Sequence, residues 1–502
     1  MVGTIAQGFS FLVDPAVWGA LAAGVFIGAI AGALPGITTT TAMAMLAPVT
    51  FYLPVRLGIP FLLGLYKGGV WGGAITAILL NLPGTNASIA TTFDGYPLAK
   101  KGYARKALDM SLYASVTGEL ISSSILLLIM GPLSAIALKF GPPELFALIV
   151  FAIALIGISG DDPLKALVSA LIGLVLATIG IDPLGGALRY TLGIVELRSG
   201  ISFIPAMIGM LCLPELLSIF SQRVLRRSVS AEGRTLLEVG REGLTLGEYL
   251  RCVPTMVRSA LLGLVIGIIP ALSQVIAALL AYGLEKRLSP KPEKFGQGAL
   301  EGIAAPEAAN NAVNSGAMVP MLTFGIPGDL VTAVLIGAFM ANNLKPGPTL
   351  IRDNPRIMYG LLLLMVLGNF VMLVVGKICM GIFISAIKIP AEYLVPAISV
   401  LVVLGAFSAN NSLFDVWTMI ACGFLGCFLK RYGFPIPPLL ITFLLGYRLE
   451  MYLSQTLLLG NGSLSILRAR PIALWLLLTT LIVWGWAVVP RGRFRVGQRT
   501  AS

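Results

Sequence analysis

The sequence predicts an all-α polytopic membrane protein: about 10–14 membrane elements in two inverted-topology repeats that contain re-entrant or broken helices. Three observations predict it. Hydrophobic residues make up 57% of the 502 residues and charged residues only 12%, half of the roughly 25% a soluble domain carries. Mean hydropathy is +0.91, and so few charges cannot cover a soluble body of this size. Glycine and proline are abundant, at 57 and 31 residues, as close-packed and interrupted helices in lipid require. Finally, three sections of the first half recur in order in the second.

In chain order, the first half has apolar stretches at 16–34, 60–80, 107–130, 145–158, 164–181 and 201–220. The second half has them at 256–284, 357–387, 393–406, 416–429, 439–458 and 472–489. Some are short for a clean crossing and some long. Between them lie sections rich in Pro, Gly and Asn that are neither apolar spans nor hydrophilic loops. Backbone of that kind is tolerated at membrane depth only when buried in protein or lining a cavity.

The repeat reads as follows. GLVIGIIPALSQVIAALLAYGLEKRLSP, from Gly263, parallels GVFIGAIAGALPGITTTTAMAMLAPVTFYLP, from Gly24. LTFGIPGDLVTAVLIGAFMANNLKPGP, from Leu322, parallels LLNLPGTNASIATTFDGYPLAKKG, from Leu79. KIPAEYLVPAISVLVVLG, from Lys388, parallels KFGPPELFALIVFAIALIG, from Lys139. An ordered set of matches favours duplication. The chain therefore divides into a first transmembrane repeat (14–220), a basic cytoplasmic linker (221–253), a second repeat (254–460), an extra C-terminal span (461–490) and a basic cytoplasmic tail (491–502).

The net charge of +12 is concentrated. Arg223, Arg226, Arg227, Arg234, Arg241, Arg251 and Arg258 lie in and beside the linker, and Arg491, Arg493, Arg495 and Arg499 fill the tail. The positive-inside rule places both in the cytoplasm. Lys286, Arg287, Lys291 and Lys294 follow the first hairpin of the second half, whereas the matching turn of the first half has only Arg56. That contrast favours opposite orientations for the halves and an outside N-terminus. No lysine or arginine precedes Arg56, so a cleaved signal peptide with a basic leader is not expected. No basic helix or aromatic-bearing strand accompanies the charge, which excludes nucleic acid as a partner.

The candidate site residues sit at helix breaks. Pro35-Gly36-Ile37 interrupts the first span, and Thr38, Thr39, Thr40 and Thr41 open the next helix. A helix start offers free N–H groups and the positive end of its dipole, so an anion can bind without a buried full charge. The ordinary reading is a hairpin with capping threonines. Pro83-Gly84-Thr85-Asn86-Ala87-Ser88 repeats the device, and Gly325-Ile326-Pro327-Gly328-Asp329 repeats it in the second half. Paired breaks in paired repeats are the arrangement of a secondary transporter's central site. Glu307, Asn310, Asn311 and Asn314, with Asp329, are candidates for coupling a cation, either Na+ or a proton carried by Asp329 or Glu307; each asparagine could equally bond across a helix interface. Ser315, Asn342, Asn343, Asn410 and Asn411 extend the polar set, and Asp161 and Asp162 precede a helix start at Pro163. Lys67 stands mid-span, where it attracts a substrate carboxylate, pairs with a buried acid or snorkels to the interface.

Other chemistries lack their residues. Histidine is absent, which removes His bases, triads and His metal sites. Cys212, Cys252, Cys379, Cys422 and Cys427 form no ligand pattern. No G-x-x-x-x-G-K-[ST] run provides a nucleotide site. No cofactor, catalytic residue or enzyme activity is expected. An ion channel, a membrane-embedded enzyme and an assembly subunit are the alternatives.

GALPGITTTTAMAMLAPVTFYLP, YKGGVWGGAITAILLNLPGTNASIATTFDGYPLAKKG, EGIAAPEAANNAVNSGAMVPMLTFGIPGD and GPTLIRDNP resemble the large membrane subunit of the tripartite tricarboxylate transporters, the TctA family. The likeness runs from about Phe11 to about Val489. It implies a bacterial inner-membrane permease that takes up tricarboxylates or related carboxylates with an ion gradient. It also implies two partners, a small membrane subunit with about four spans and a periplasmic solute-binding protein.

Overall fold

The computed structural model describes residues 8–34, 36–158, 162–182, 185–226, 239–240, 242–270, 272–387, 389 and 391–488. Pro35, Asp161, residues 227–238 and 241 of the basic linker and the whole tail lie outside them. The described residues are almost wholly helical. The first half comprises α1 (Pro15–Ala33), α2 (Thr39–Leu46), α3 (Val55–Leu80), α4 (Ile89–Leu98), α5 (Ala104–Ala137), α6 (Pro142–Ile158), α7 (Pro163–Ala177) and α8 (Phe203–Arg226). The second comprises α9 (Leu246–Ile268), α10 (Gln274–Leu288), α11 (Leu300–Phe324), α12 (Leu330–Ala341), α13 (Leu350–Asp353), α14 (Pro355–Ala386), α15 (Ala391–Ser408), α16 (Leu413–Arg431) and α17 (Ile436–Leu459), followed by α18 (Pro471–Val488). Apart from the one-turn α13, the order of long and short helices in the first half is repeated in the second.

Seven helical segments are long and apolar enough to cross a membrane, among the described residues. Shorter apolar helices, including α6, α7 and α12, accompany them. The helix α11 is not among the seven because amides and a carboxylate interrupt it, yet Gly302–Thr323 are all buried. Its counterpart α3 is buried over Gly58–Leu79, apart from the half-buried Phe61. These two helices form the centre of the molecule.

Small residues let them lie there. Against α1, an added Cβ at Gly28 would stand 2.4 Å from the carbonyl oxygen of Leu65, and one at Gly68 2.1 Å from that of Val25. Against α9, an added Cβ at Gly263 would stand 2.2 Å from the carbonyl of Ala309, and one at Gly316 2.6 Å from that of Leu264. Backbones that approach this closely replace side-chain packing, the usual glue between helices in lipid. The peripheral helices pair across the halves: α7 packs on α17 and α8 on α16.

Local sequence accounts for the ends. Asp14 caps α1 ahead of Pro15, and Asp162 caps α7 ahead of Pro163. Thr245 and Glu248 form a reciprocal capping box at α9. Asn81 at φ 56° terminates α3 and Gly325 at φ 69° terminates α11, so both breaks follow a left-handed cap. The apolar stretch at 256–284 is not one span: α9 ends at Ile268 and Ser273 caps a separate α10. Pro270 and the serine hydroxyl outweigh continuous hydrophobicity there. The stretch at 164–181 also ends early. After α7, Gly180–Ile181 (β1) and Leu188–Arg189 (β2) form a small antiparallel pair, which the bidentate Arg189–Glu450 ion pair, at 2.7 and 3.0 Å, fixes to α17. The expected limits of the linker are likewise occupied by helix: α8 runs to Arg226 and α9 opens at Leu246.

Candidate functional site

Four helix starts line one cavity of about 500 Å3, the size of a small-molecule site. Thr38–Thr41 bring the start of α2, and Thr85, Asn86 and Ala87 bring the turn that opens α4. From the second half come Ser273, Gln274 and Val275 at the start of α10, and Asp329, Leu330 and Val331 at the start of α12. Leu211, Pro214, Phe434 and Pro435–Pro438 close the wall from α8 and α17.

Three of the four starts are held by a side-chain cap, and the turn into α4 by a hydroxyl pair. Thr38 Oγ1 accepts from the Thr41 N–H at 3.1 Å, Ser273 Oγ from the Ile276 N–H at 3.4 Å, and Asp329 Oδ1 from the Thr332 N–H at 2.8 Å. Thr85 and Ser88 share a hydroxyl–hydroxyl bond of 2.9 Å. A cap satisfies one N–H and leaves others of the first turn without an intrahelical acceptor. The hydroxyl of Thr39, a lining residue, is buried and makes no hydrogen bond. Formal charge in the wall is sparse. Lys430 pairs with Glu215 at 3.1 Å, and Asp329 is acidic. Positive potential for an anion therefore comes chiefly from helix ends and hydroxyls.

Behind the cavity a chain of polar contacts joins the halves. Tyr66 donates to Asp329 Oδ2 at 2.6 Å. Gln274 donates to Asn314 Oδ1 at 2.8 Å and to the Tyr66 oxygen at 3.4 Å. Asp94 on α4 accepts from the backbone N–H groups of Gly296, Gly298 and Ala299 and from the Tyr282 hydroxyl, which fixes the approach to α11.

The expected site residues separate into groups. Thr38, Thr39, Thr40, Thr41, Thr85, Asn86 and Asp329 line the cavity. Gly36 adopts φ 93° in the turn before α2. Pro83, Gly84 and Ser88 shape the first break; Gly84 lies against the Gly32 carbonyl, where a Cβ would come within 2.2 Å. Gly325, Pro327 and Gly328 shape the second: Gly328 packs on Ala317, and the Gly325 carbonyl accepts from Arg448 at 2.9 Å. Pro35 is outside the described residues. Glu307, Asn310, Asn311 and Asn314 lie in the buried body of α11, behind the wall and not in it.

Lys67 is a correction to its placement among substrate-facing residues. It lies 2% exposed and outside the cavity lining. Its ammonium donates to Glu119 Oε1 at 2.6 Å, to the Met365 carbonyl at 2.9 Å and to Asn369 Oδ1 at 2.9 Å. A buried lysine is satisfied by such a cage, so it needs no ligand. Asn410 bonds Ser202 and Asp415, and Asn411 accepts from Tyr52, all away from the cavity.

Sequence reasoning missed Glu119, Ser273, Gln274, Glu215 and Lys430. The repeat held the signal for Ser273 and Gln274, since PALSQ falls opposite PGITTTT. Glu119 stands mid-span in the 107–130 stretch, which signals a required partner, but nothing local names the lysine on another helix.

With this geometry in place, comparison with known proteins decides the family. The description "Tripartite tricarboxylate transporter TctA family" matches residues 19–441. The chain belongs to the TctA family. It is a multi-pass protein of the bacterial inner membrane and a permease subunit of a tripartite tricarboxylate transport system, not an enzyme. Two relatives from Agrobacterium vitis are each 36% identical. One, described as an uncharacterized 52.8 kDa protein in the TAR-I ttuC' 3' region, aligns over 98% of this chain and 97% of its own length. The other, an uncharacterized protein in the TAR-II ttuC' 3' region, aligns over 47% of this chain and 98% of its own length. No solved structure matches.

Proposed function

We propose that this TctA-family chain moves a tricarboxylate or related carboxylate through the cavity at the four helix starts, driven by a cation gradient. The observation that carries the reading is that two starts come from each half and line one space. A carboxylate there meets first-turn N–H groups and threonine and serine hydroxyls while its charge stays in a low-dielectric setting, where such donors act strongly.

The halves are read as inverted repeats. The repeated element order and the reciprocal packing of α7 on α17 and α8 on α16 support a two-fold relation. The unequal basic charge after the two first hairpins supports opposite orientation. Inversion lets the halves rock about a shared site and open it to each side in turn. A small membrane subunit of about four spans and a periplasmic solute-binding protein complete the system. The binding protein raises the local substrate concentration at the permease.

The test is uptake by the complete three-part system in proteoliposomes, across a panel of carboxylates. Thr39→Ala should raise the KM of the transported carboxylate roughly ten- to a hundredfold, the size expected for a lost hydrogen bond to a charged group. An unchanged KM for Thr39→Ala, Asn86→Ala and Ser273→Ala in correctly assembled complex rejects the cavity as the substrate site.

A further inference from the structure

Glu307 is a carboxylate without a built-in counter-charge. It is 0% exposed, in the middle of α11. Thr91 on α4 donates to its Oε1 at 2.5 Å, and Ser115 on α5 donates to its Oε2 at 2.9 Å. Among the described residues no lysine or arginine pairs with it. Two hydroxyls orient a carboxylate but leave its charge uncancelled, and a buried charge needs a partner.

A second, independent observation lies one turn along the same helix. Asn310 and Asn311 stand three and four residues beyond Glu307, the spacing that shares a face. Both are buried, at 1% and 0% exposure. Neither the amide oxygen nor the amide nitrogen of Asn310 makes a hydrogen bond, and the amide oxygen of Asn311 makes none. Buried polar atoms are normally satisfied. Unpartnered oxygens beside an unpaired carboxylate have the chemistry of a hard-cation site.

The repeat supplies the third. With Pro83 set on Pro327, Lys67 of α3 falls on Asn311 of α11. The first half fixes an ammonium at this level and pairs it with Glu119. The second half has an amide there and an acid one turn earlier. Asp329 is committed elsewhere: its carboxylate caps α12 and accepts from Tyr66.

We propose that Glu307, the hydroxyls of Thr91 and Ser115 and the amide oxygens of Asn310 and Asn311 bind the coupling Na+. The proposal deepens the reading of the chain as a cation-coupled carrier and rests on it. Several neutral oxygens grouped around one buried carboxylate favour a metal cation over a proton, which needs a single acceptor. The site communicates with the substrate cavity through α4. Thr91 lies one turn into the helix whose opening turn, Asn86–Ser88, reaches the cavity. A cation between α4 and α11 sets the position of that helix start, so cation and carboxylate bind with mutual reinforcement.

The test uses purified complete complex, in NaCl or KCl at matched ionic strength, with thermal unfolding and proteoliposome uptake read in parallel. NaCl should raise the Tm of the unaltered complex and lower the KM of its carboxylate. Glu307→Gln should lose both effects, leaving slow uptake that does not respond to a sodium gradient. Thr39→Ala should raise the KM and keep the sodium-dependent rise in Tm, which separates failure of the cavity from failure of the cation site. If Glu307→Gln does not assemble, Ser115→Ala decides: its apparent sodium affinity should fall roughly tenfold, the loss of one oxygen contact. Sodium effects that persist undiminished in these variants overturn the proposal. So does uptake that follows a pH gradient alone and ignores sodium.

Discussion

Glu119 and Glu307 are both buried carboxylates in the same helical core, and the protein treats them differently. Glu119 meets the Lys67 ammonium at 2.6 Å, in a cage completed by Asn369 and the Met365 carbonyl. Among the described residues, the Glu307 carboxylate meets only hydroxyls. A fixed pair makes a joint: it ties α3 to α5 and α14 whatever is bound. On the reading proposed above, a carboxylate without a fixed partner leaves its compensation to an ion that comes and goes. The difference teaches that a charge buried in a membrane protein has to be judged by its partner, since burial alone does not separate structural from working groups.

The largest expected effect comes from breaking the fixed pair. Lys67→Met leaves Glu119 buried and alone, and should cost about 3–5 kcal/mol of stability or prevent assembly; Glu119→Gln should do comparable damage. The double variant, with no charge left, should recover much of the loss. Chemical or thermal unfolding of the four proteins checks this. Equal losses in single and double variants would show that the pair does not act as a joint.

A smaller effect tests the frame that holds the two central helices. Gly28→Ala puts a methyl group where the Leu65 carbonyl leaves 2.4 Å, and should cost about 1–3 kcal/mol through overpacking. Gly283→Ala, where nothing lies within 4 Å, should be neutral or slightly stabilising. If the two variants unfold alike, the close approach of α1 and α3 is not what positions α3.

Much of this arrangement was legible in the sequence because its causes are local. Pro and Gly end helices wherever they fall, and threonine, serine and aspartate cap the helices that follow. The breaks at Pro83 and Pro327 and the threonine run could thus be read directly. Ser273 was harder, since a continuous apolar stretch hides the break before it and only the parallel with Thr38 reveals it. The pairings of Glu119, Glu215 and Lys430 were not legible. Their partners come from distant helices, and no spacing along one segment encodes that pairing. Lys67 shows the same limit: its mid-span position signals a required partner but not which one. The separation of Glu307 from Asp329 also needed the fold, because their nearness in sequence hides that one sits behind the wall and the other in it.

The most direct measurement of the central claim, that both halves build one substrate site, is protection of individually introduced cysteines from a thiol reagent by the transported carboxylate, with the native Cys212, Cys252 and Cys422 buried. Cysteines placed at Thr39 in the first half and Ser273 in the second, with Cys379 and Cys427 changed to serine, should both label more slowly when the carboxylate is present. A cysteine at Leu192, 88% exposed and outside the cavity lining, should label at the same rate with and without it. Protection at only one of the two cavity positions, or at neither, in complex that still transports would contradict a site shared by the two halves.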